Sequence, residues 1–281
     1  MMMSDRICLV TGATSGIGAA TALGLARLGA RVVLAGRDRG RCARMAARLQ
    51  RETGNRSIDC LVADLSVQGD IRRLVETFES RYERLDVLVN NAGGYFHRRE
   101  VSADGIEMTF ALNHLGYFLL TSLLLDRLLR SAGARVINVA SEDHRSGWID
   151  FDDLMGEKRY DRRKAYAQSK LANILFTYEM ARRLGGAGPS VNALGPGAVR
   201  TNLGANNGWL RKKILNMLAR GRITPEAGAV TPLYLASSPA VAGSTGRYYL
   251  DREERPSSEA SRDEGTAARL WQVSRTLTHL D

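Results

Sequence analysis

Tyr166 and Lys170 stand four residues apart in Tyr166-Ala167-Gln168-Ser169-Lys170, downstream of an apolar, strand-like run that ends at Ser141. A four-residue spacing on a helix brings two side chains onto one face, so an ammonium would sit beside a phenol. A free tyrosine titrates near ~10. A neighbouring ammonium favours the phenolate and lowers that value, each unit corresponding to about 1.4 kcal/mol. A tyrosine tuned in this way can pass a proton to or from a carbonyl or alcohol oxygen. Ser141 can hydrogen-bond the same oxygen and steady the charge that develops there. Taken alone, Tyr-x-x-x-Lys describes many solvated helix faces equally well, so its meaning depends on what the rest of the chain supplies.

The N-terminal elements supply a partner for that chemistry. Ile7-Cys8-Leu9-Val10 reads as a buried strand. The turn Thr11-Gly12-Ala13-Thr14-Ser15-Gly16-Ile17-Gly18 follows at once, and an apolar helical stretch runs from Ala19 to Leu28, stopped by Gly29. A glycine-rich turn between a strand and a helix lets the backbone approach a dinucleotide pyrophosphate, while the helix N-terminus offers N–H groups to the phosphates. The spacing is G-x-x-x-G-x-G rather than G-x-G-x-x-G. A second strand, Arg31-Val32-Val33-Leu34-Ala35, ends on Gly36 and Arg37. An acidic residue there would hold ribose hydroxyls, whereas the planar fork of an arginine suits a 2′-phosphate. NADP(H) is therefore favoured over NAD(H), and a hydride from the nicotinamide would accompany the proton from Tyr166.

These residues resemble the short-chain dehydrogenase/reductase family. Thr11-Gly12 through Gly16-Ile17-Gly18 is similar to its cofactor turn, with Thr14 and Ser15 inside it. Asn90-Asn91-Ala92-Gly93 is similar to its N-N-A-G motif, and Ala63-Asp64-Leu65 to the segment that contacts adenine. Asn113, Ser141, Tyr166 and Lys170 resemble its catalytic tetrad. Pro196-Gly197, with Val199 and Thr201 beyond it, resembles the P-G-x-x-x-T segment beside the nicotinamide. The resemblance implies that Lys170 binds the nicotinamide ribose and that Asn113 holds a water linking Lys170 to solvent; a helix-bending polar residue is the other reading of Asn113. It also implies that Asn91 lies along the cofactor, unless it only satisfies buried backbone, and that Asp64 contacts adenine, unless it caps the helix after Leu65. The stretches 112–121 and 169–176, the 25-residue gap from Ser141 to Tyr166 (166 − 141) and the tail segments 245–249 and 268–271 are similar to the retinol dehydrogenase branch. Ala140, where a serine is common, Gly195, where that branch often has histidine, and the lack of an N-terminal membrane anchor are departures.

Alternating strand and helix patterns over 281 residues, with no linker, imply one α/β Rossmann domain. It would be a doubly wound parallel sheet of about seven strands with helices on both faces, with strands expected near 7–11, 31–35, 58–63, 86–90, 135–140, 190–194 and 246–250. The net charge is +10, but only five of the 40 basic residues are lysine and they are scattered, so no nucleic-acid partner is expected. The four histidines make no metal-binding pattern; His114 is read as a core or supporting group, and His144 as either pocket or loop. Three unpaired cysteines and no apolar run long enough to cross a membrane imply a cytoplasmic protein. Substrate choice falls to loops near 94–103, 142–160 and 198–224. In the last, Trp209, Leu210, Ile214, Leu215, Met217 and Leu218 form an apolar face that would serve as a lid, a membrane-surface helix or an ordinary packed helix. The substrate expected is a hydrophobic carbonyl or alcohol. The alternatives are an NAD-linked alcohol dehydrogenase, a tailoring ketoreductase and a non-catalytic cofactor sensor. The oligomeric state stays open, a homodimer pairing through 104–130 and 161–184 being the family's usual arrangement.

Overall fold

The structure, a computed structural model, describes residues 2–197 and 223–280. Its strands are β1 (Ile7–Thr11), β2 (Arg31–Gly36), β3 (Ile58–Val62), β4 (Val87–Asn90), β5 (Arg135–Val139), β6 (Ser190–Gly195), β7 (Arg247–Leu250) and β8 (Glu253–Glu254). They form one sheet in the order β3-β2-β1-β4-β5-β6-β7-β8, parallel throughout except for β8. The seven expected strands are present. The eighth is an addition to the expected count: two exposed glutamates pair antiparallel with β7 after Asp251 and Arg252 turn the chain at positive φ. So short and polar an edge leaves no hydrophobic run to read.

The strands are continuous apolar runs because both faces of the sheet are covered. Leu9, Val33, Ala35, Leu61, Leu88 and Val136 face a layer built from α3 (Gln68–Glu79), α5 (Gly116–Leu123) and α7 (Arg162–Leu184). Cys8, Val10, Val32, Leu34, Val87 and Ile137 face the opposite layer of α1 (Gly16–Arg27), α2 (Arg39–Thr53) and the helix Val230–Ser237. Strand order reverses between β1 and β4, each hydrogen-bonded to the other. The crevice at the carboxyl ends of such a pair is where ligands bind in open α/β sheets.

The final helix, Glu264–Leu277, is fastened to this frame through a buried histidine. His114 Nε2 lies 2.9 Å from Ser274 Oγ and Nδ1 lies 3.4 Å from Asn173 Oδ1. It is therefore a core group. Burial disfavours its cation and pushes its pKa down to about 4. Between pH 6.5 and 4 the unfolded chain binds the proton that the folded chain refuses, so stability falls on acidification through that window, by up to roughly 3 kcal/mol. Urea midpoints measured from pH 7 to 4 should decline less steeply in His114→Gln than in the natural protein. Equal slopes would show that His114 contributes nothing to acid sensitivity.

Candidate active site

The cofactor end of the site is a close meeting of two turns. Thr11 Oγ1, at the end of β1, accepts from the backbone of Asn91 (2.8 Å) and Ala92 (3.0 Å), beyond the end of β4. Asn91 Nδ2 donates to Thr11 O at 2.8 Å. The amide of Asn91 thus satisfies buried backbone, one of its two expected roles. Gly12 is at φ +63, and a Cβ on it would stand 2.9 Å from Ala92 Cα. A Cβ on Gly18 would collide with Asn91 Nδ2 and come within 2.5 Å of Gly12 O. The glycines are there because no side chain fits between these turns. Ser15, at the N-cap of α1, makes no side-chain capping bond, unlike Asp38 and Asp161 at the N-caps of α2 and α7. The Ser15 side chain thus does not occupy the first N–H groups of α1; Gly16 and the buried Ile17 begin that helix.

Gly36 closes the far end of this crevice. A Cβ there would lie 3.0 Å from Thr14 Cγ2 and 3.1 Å from Cys42 Sγ, so an acidic side chain has no room without a shift. Arg37 follows, exposed. Cys42 Sγ donates to Gly36 O at 3.7 Å and neighbours Cys60, a proximity across 18 residues (60 − 42) that cysteine spacing does not show. Asp64 corrects one expectation. The helix after Leu65 begins at Gln68 with Val67 at its N-cap, so Asp64 is not a cap. Its Oδ1 instead accepts from Ser66 N (2.9 Å) and Ser66 Oγ (2.6 Å), and its own N–H goes to Asp70 Oδ2 (3.0 Å). Leu65 is buried in the core.

The catalytic candidates converge at the ends of β4 and β5. Ser141 follows β5 and caps the 3-10 turn Glu142–Ser146. Tyr166 and Lys170 share the buried face of α7, held at its start by Asp161, whose Oδ1 accepts from the backbone of Arg163 and Lys164. Tyr166 lies beside the Ser141 hydroxyl, near enough for that group to favour its phenolate. Lys170 Nζ lies 5.6 Å from the centre of the Tyr166 ring and donates to Val139 O at 3.0 Å. Burial lowers the lysine to about 8. Tyr166 moves up from its ordinary value, first through burial and then through the charge of Asp143, against the smaller effect of the neighbouring Ser141 hydroxyl. The direction is thus opposite to the lowering expected from Lys170: the phenol is almost fully enclosed, and desolvation of the phenolate is the largest cause of its shift.

Asn113 sits in a π-helical turn, Ala111–Leu115, between a three-residue helix at Met108–Phe110 and α5. Buried Glu107 fixes the start of this run by accepting from Thr109 N and Phe110 N, both at 2.9 Å. Asn113 Oδ1 accepts from Gly94 N (2.8 Å), and Nδ2 donates to Gly94 O (3.0 Å) and Ser169 Oγ (3.0 Å). Its carbonyl accepts from Asn173 Nδ2 at 2.9 Å. A Cβ on Gly93 would touch both Asn113 Oδ1 (3.2 Å) and Lys170 Nζ (3.8 Å), so these three groups are neighbours. Pro196 and Gly197 lie at the end of β6, Gly197 at φ +76. Val199, Thr201 and the lid segment up to residue 222 lie outside the described residues.

Several neighbours of the candidate site escaped the sequence reading, and His144 takes a place that reading did not offer. The ring of Tyr95 packs edge-on against Tyr166 at 5.4 Å. Asp143 Oδ2 accepts from Ser141 Oγ at 3.0 Å. His144 is fully buried, its Nδ1 2.6 Å from Ser141 O and its Nε2 accepting from Ser258 N at 3.1 Å. It braces the serine turn from behind, and is neither a pocket wall nor a free loop residue. Tyr248 donates to Glu142 and fills the space where a Cβ on Gly195 would stand, which explains glycine before Pro196. No short-range pattern links these pairs, since their members are joined only by the fold.

A parallel Rossmann sheet with a glycine-lined crevice and a Ser-Tyr-Lys group beyond it defines an oxidoreductase that works on CH–OH and carbonyl groups. The short chain dehydrogenase family model matches residues 6–209, and the chain belongs to that family. It is 42% identical to human retinol dehydrogenase 14, over 99% of this chain and 88% of the relative. It is 41% identical to human retinol dehydrogenase 13, over 98% and 85%. A solved protein from Mycobacterium paratuberculosis superposes with a TM-score of 0.78 at 35% identity, covering 98% of this chain and 94% of that one. Pseudomonas aeruginosa RhlG, solved with NADP, superposes with a TM-score of 0.70 at 31% identity, covering 88% and 95%. No described helix is long and apolar enough to cross a membrane.

Proposed function

We propose that this protein transfers a hydride between NADP(H) and a carbonyl or alcohol of a largely apolar small molecule, with Tyr166 as the acid/base. The observation that carries this reading is the enclosure of Tyr166 and Lys170 on one face of α7, beside Ser141, which follows β5, the strand next to β4. The nicotinamide, when bound, supplies or receives the hydride. In reduction, Ser141 holds the carbonyl oxygen while Tyr166 gives it a proton; in oxidation, Tyr166 removes the hydroxyl proton. Lys170, mostly protonated at neutral pH, steadies the phenolate so formed. Gly12, Gly16, Gly18, Ala92 and Gly93 line the crevice, and the uncapped start of α1 would take the pyrophosphate. An apolar substrate is supported by the relatives named for retinol, an apolar alcohol.

NADP(H) rather than NAD(H) is supported by Gly36, which supplies no ribose-binding carboxylate where the strand ends, by exposed Arg37 beside it, and by the solved relative that carries NADP. Fluorescence titration with NADPH and NADH, repeated with Arg37→Ala, tests this. Loss of charge-assisted hydrogen bonds to a 2′-phosphate should weaken NADPH binding roughly 10- to 100-fold and leave NADH binding little changed. Equal affinity for both cofactors, unaffected by the substitution, would instead favour an NAD-linked alcohol dehydrogenase.

A further inference from the structure

Ser141 does not face the site with a free hydroxyl. Its Oγ accepts from Asp143 N at 3.2 Å and donates to Asp143 Oδ2 at 3.0 Å. Asp143 is exposed, in the first turn of the Glu142–Ser146 helix. The nearby cations are engaged elsewhere: Arg145 with Glu142 and Pro256 O, and Lys164 with Asp150. Among the described residues, Asp143 forms no ion pair. The carboxylate thus stands beside the serine that would hold the reacting oxygen, and its charge is felt at both Tyr166 and Lys170.

The geometry has a consequence for substrate choice. When a carbonyl oxygen takes the hydroxyl of Ser141, Asp143 Oδ2 loses its side-chain donor. A donor on the substrate carbon next to the carbonyl lies about one hydrogen-bond length from the reacting oxygen. The reacting oxygen and Asp143 Oδ2 then both lie about one such length from Ser141 Oγ, so a donor on the adjacent carbon that is turned toward Asp143 can bridge the gap between them. We propose that Asp143 is a specificity residue that binds a donor on the carbon adjacent to the reacting carbon, so that the preferred substrates are apolar ketones bearing an α-hydroxyl, together with the matching 1,2-diols. The inference rests on the oxidoreductase reading above. It narrows the substrate class, and predicts discrimination against an α-carboxylate, which the same charge repels.

The test compares NADPH-driven reduction of acetophenone, 2-hydroxyacetophenone and benzoylformate by the natural protein, Asp143→Ala and Asp143→Asn. The readout is the ratio of kcat/KM values, in which a general loss cancels. The ratio of 2-hydroxyacetophenone to acetophenone should fall roughly 10- to 100-fold in Asp143→Ala, the range for a lost hydrogen bond to a charged group. The ratio of benzoylformate to acetophenone should rise in both variants. Oxidation of 1-phenyl-1,2-ethanediol against 1-phenylethanol should repeat the first result. Equal slowing of all three ketones, with both ratios unchanged, would show that Asp143 only orients Ser141 and would overturn the proposal while leaving the oxidoreductase reading intact. No reduction of any ketone by protein that binds NADPH would overturn the reading and the inference together.

Discussion

Tyr166→Phe is expected to lower kcat for carbonyl reduction by roughly 10²- to 10⁴-fold, the range for loss of a positioned general acid, while NADPH still binds. The substitution is clean in this fold. The ring is buried and packs edge-on against Tyr95, so phenylalanine keeps the shape and removes only the hydroxyl. The direction of the Tyr166 shift adds a pH signature. Burial and the charge of Asp143 hold the proton on this phenol well past neutrality, so the acid needed for reduction is present across the neutral range. Reduction should therefore be level in pH until the alkaline side, whereas oxidation, which needs the phenolate, should rise with pH. Steady-state rates of both directions from pH 6 to 10, in the natural protein and Tyr166→Phe, check this. A variant that keeps its rate, or that loses it together with its thermal transition, would remove Tyr166 from the acid/base role.

The parts of this site that could be read from the chain are those in which local sequence carries the physics. Parallel strands buried on both faces must be apolar along their length, so all seven longer strands were legible. A turn squeezed between Gly12, Gly18 and the Asn91 amide has to be glycine, and helical spacing alone places Tyr166 beside Lys170. What was hidden depends on residues far apart in the chain. The π-helical turn around Asn113 exposes a carbonyl that is met by Asn173, 60 residues away. Tyr248 reaches Glu142 across 106 residues and excludes a side chain at Gly195, 53 residues away (248 − 195). The cap was the second reading of Asp64, beside the adenine contact, because Asp commonly plays that part; the chain instead turns on Ser66 and starts the helix later. The sign of the Tyr166 shift was missed for a related reason. Spacing reveals a neighbouring ammonium, but not the enclosure that opposes it.

The same enclosure governs Lys170, and replacing it by methionine should separate chemistry from stability. Activity is expected to fall roughly 100-fold or more, since the phenolate loses its counter-charge. Stability should move the other way at neutral pH. Burial depresses the Lys170 pKa from 10.5 to about 8, so below pH 8 the folded protein carries a poorly solvated ammonium. Between pH 8 and 10.5 the unfolded chain binds more protons than the folded one at this residue, and stability from Lys170 rises with pH across that window. The total is of the order of 3 kcal/mol, reduced at every pH by the hydrogen bond that Nζ gives to Val139 O. Methionine has no such dependence. Urea unfolding at pH 7, 8, 9 and 10 should show Lys170→Met ahead of the natural protein, or level with it, at pH 7, and losing ground steadily above pH 8. A stability difference that stays constant with pH would mean that Lys170 titrates near its ordinary value and that burial costs it little. If the difference follows the predicted course, the fold is retaining a destabilising charge at the one place where that charge can hold a phenolate, which is how a site built for proton transfer differs from an optimally packed core.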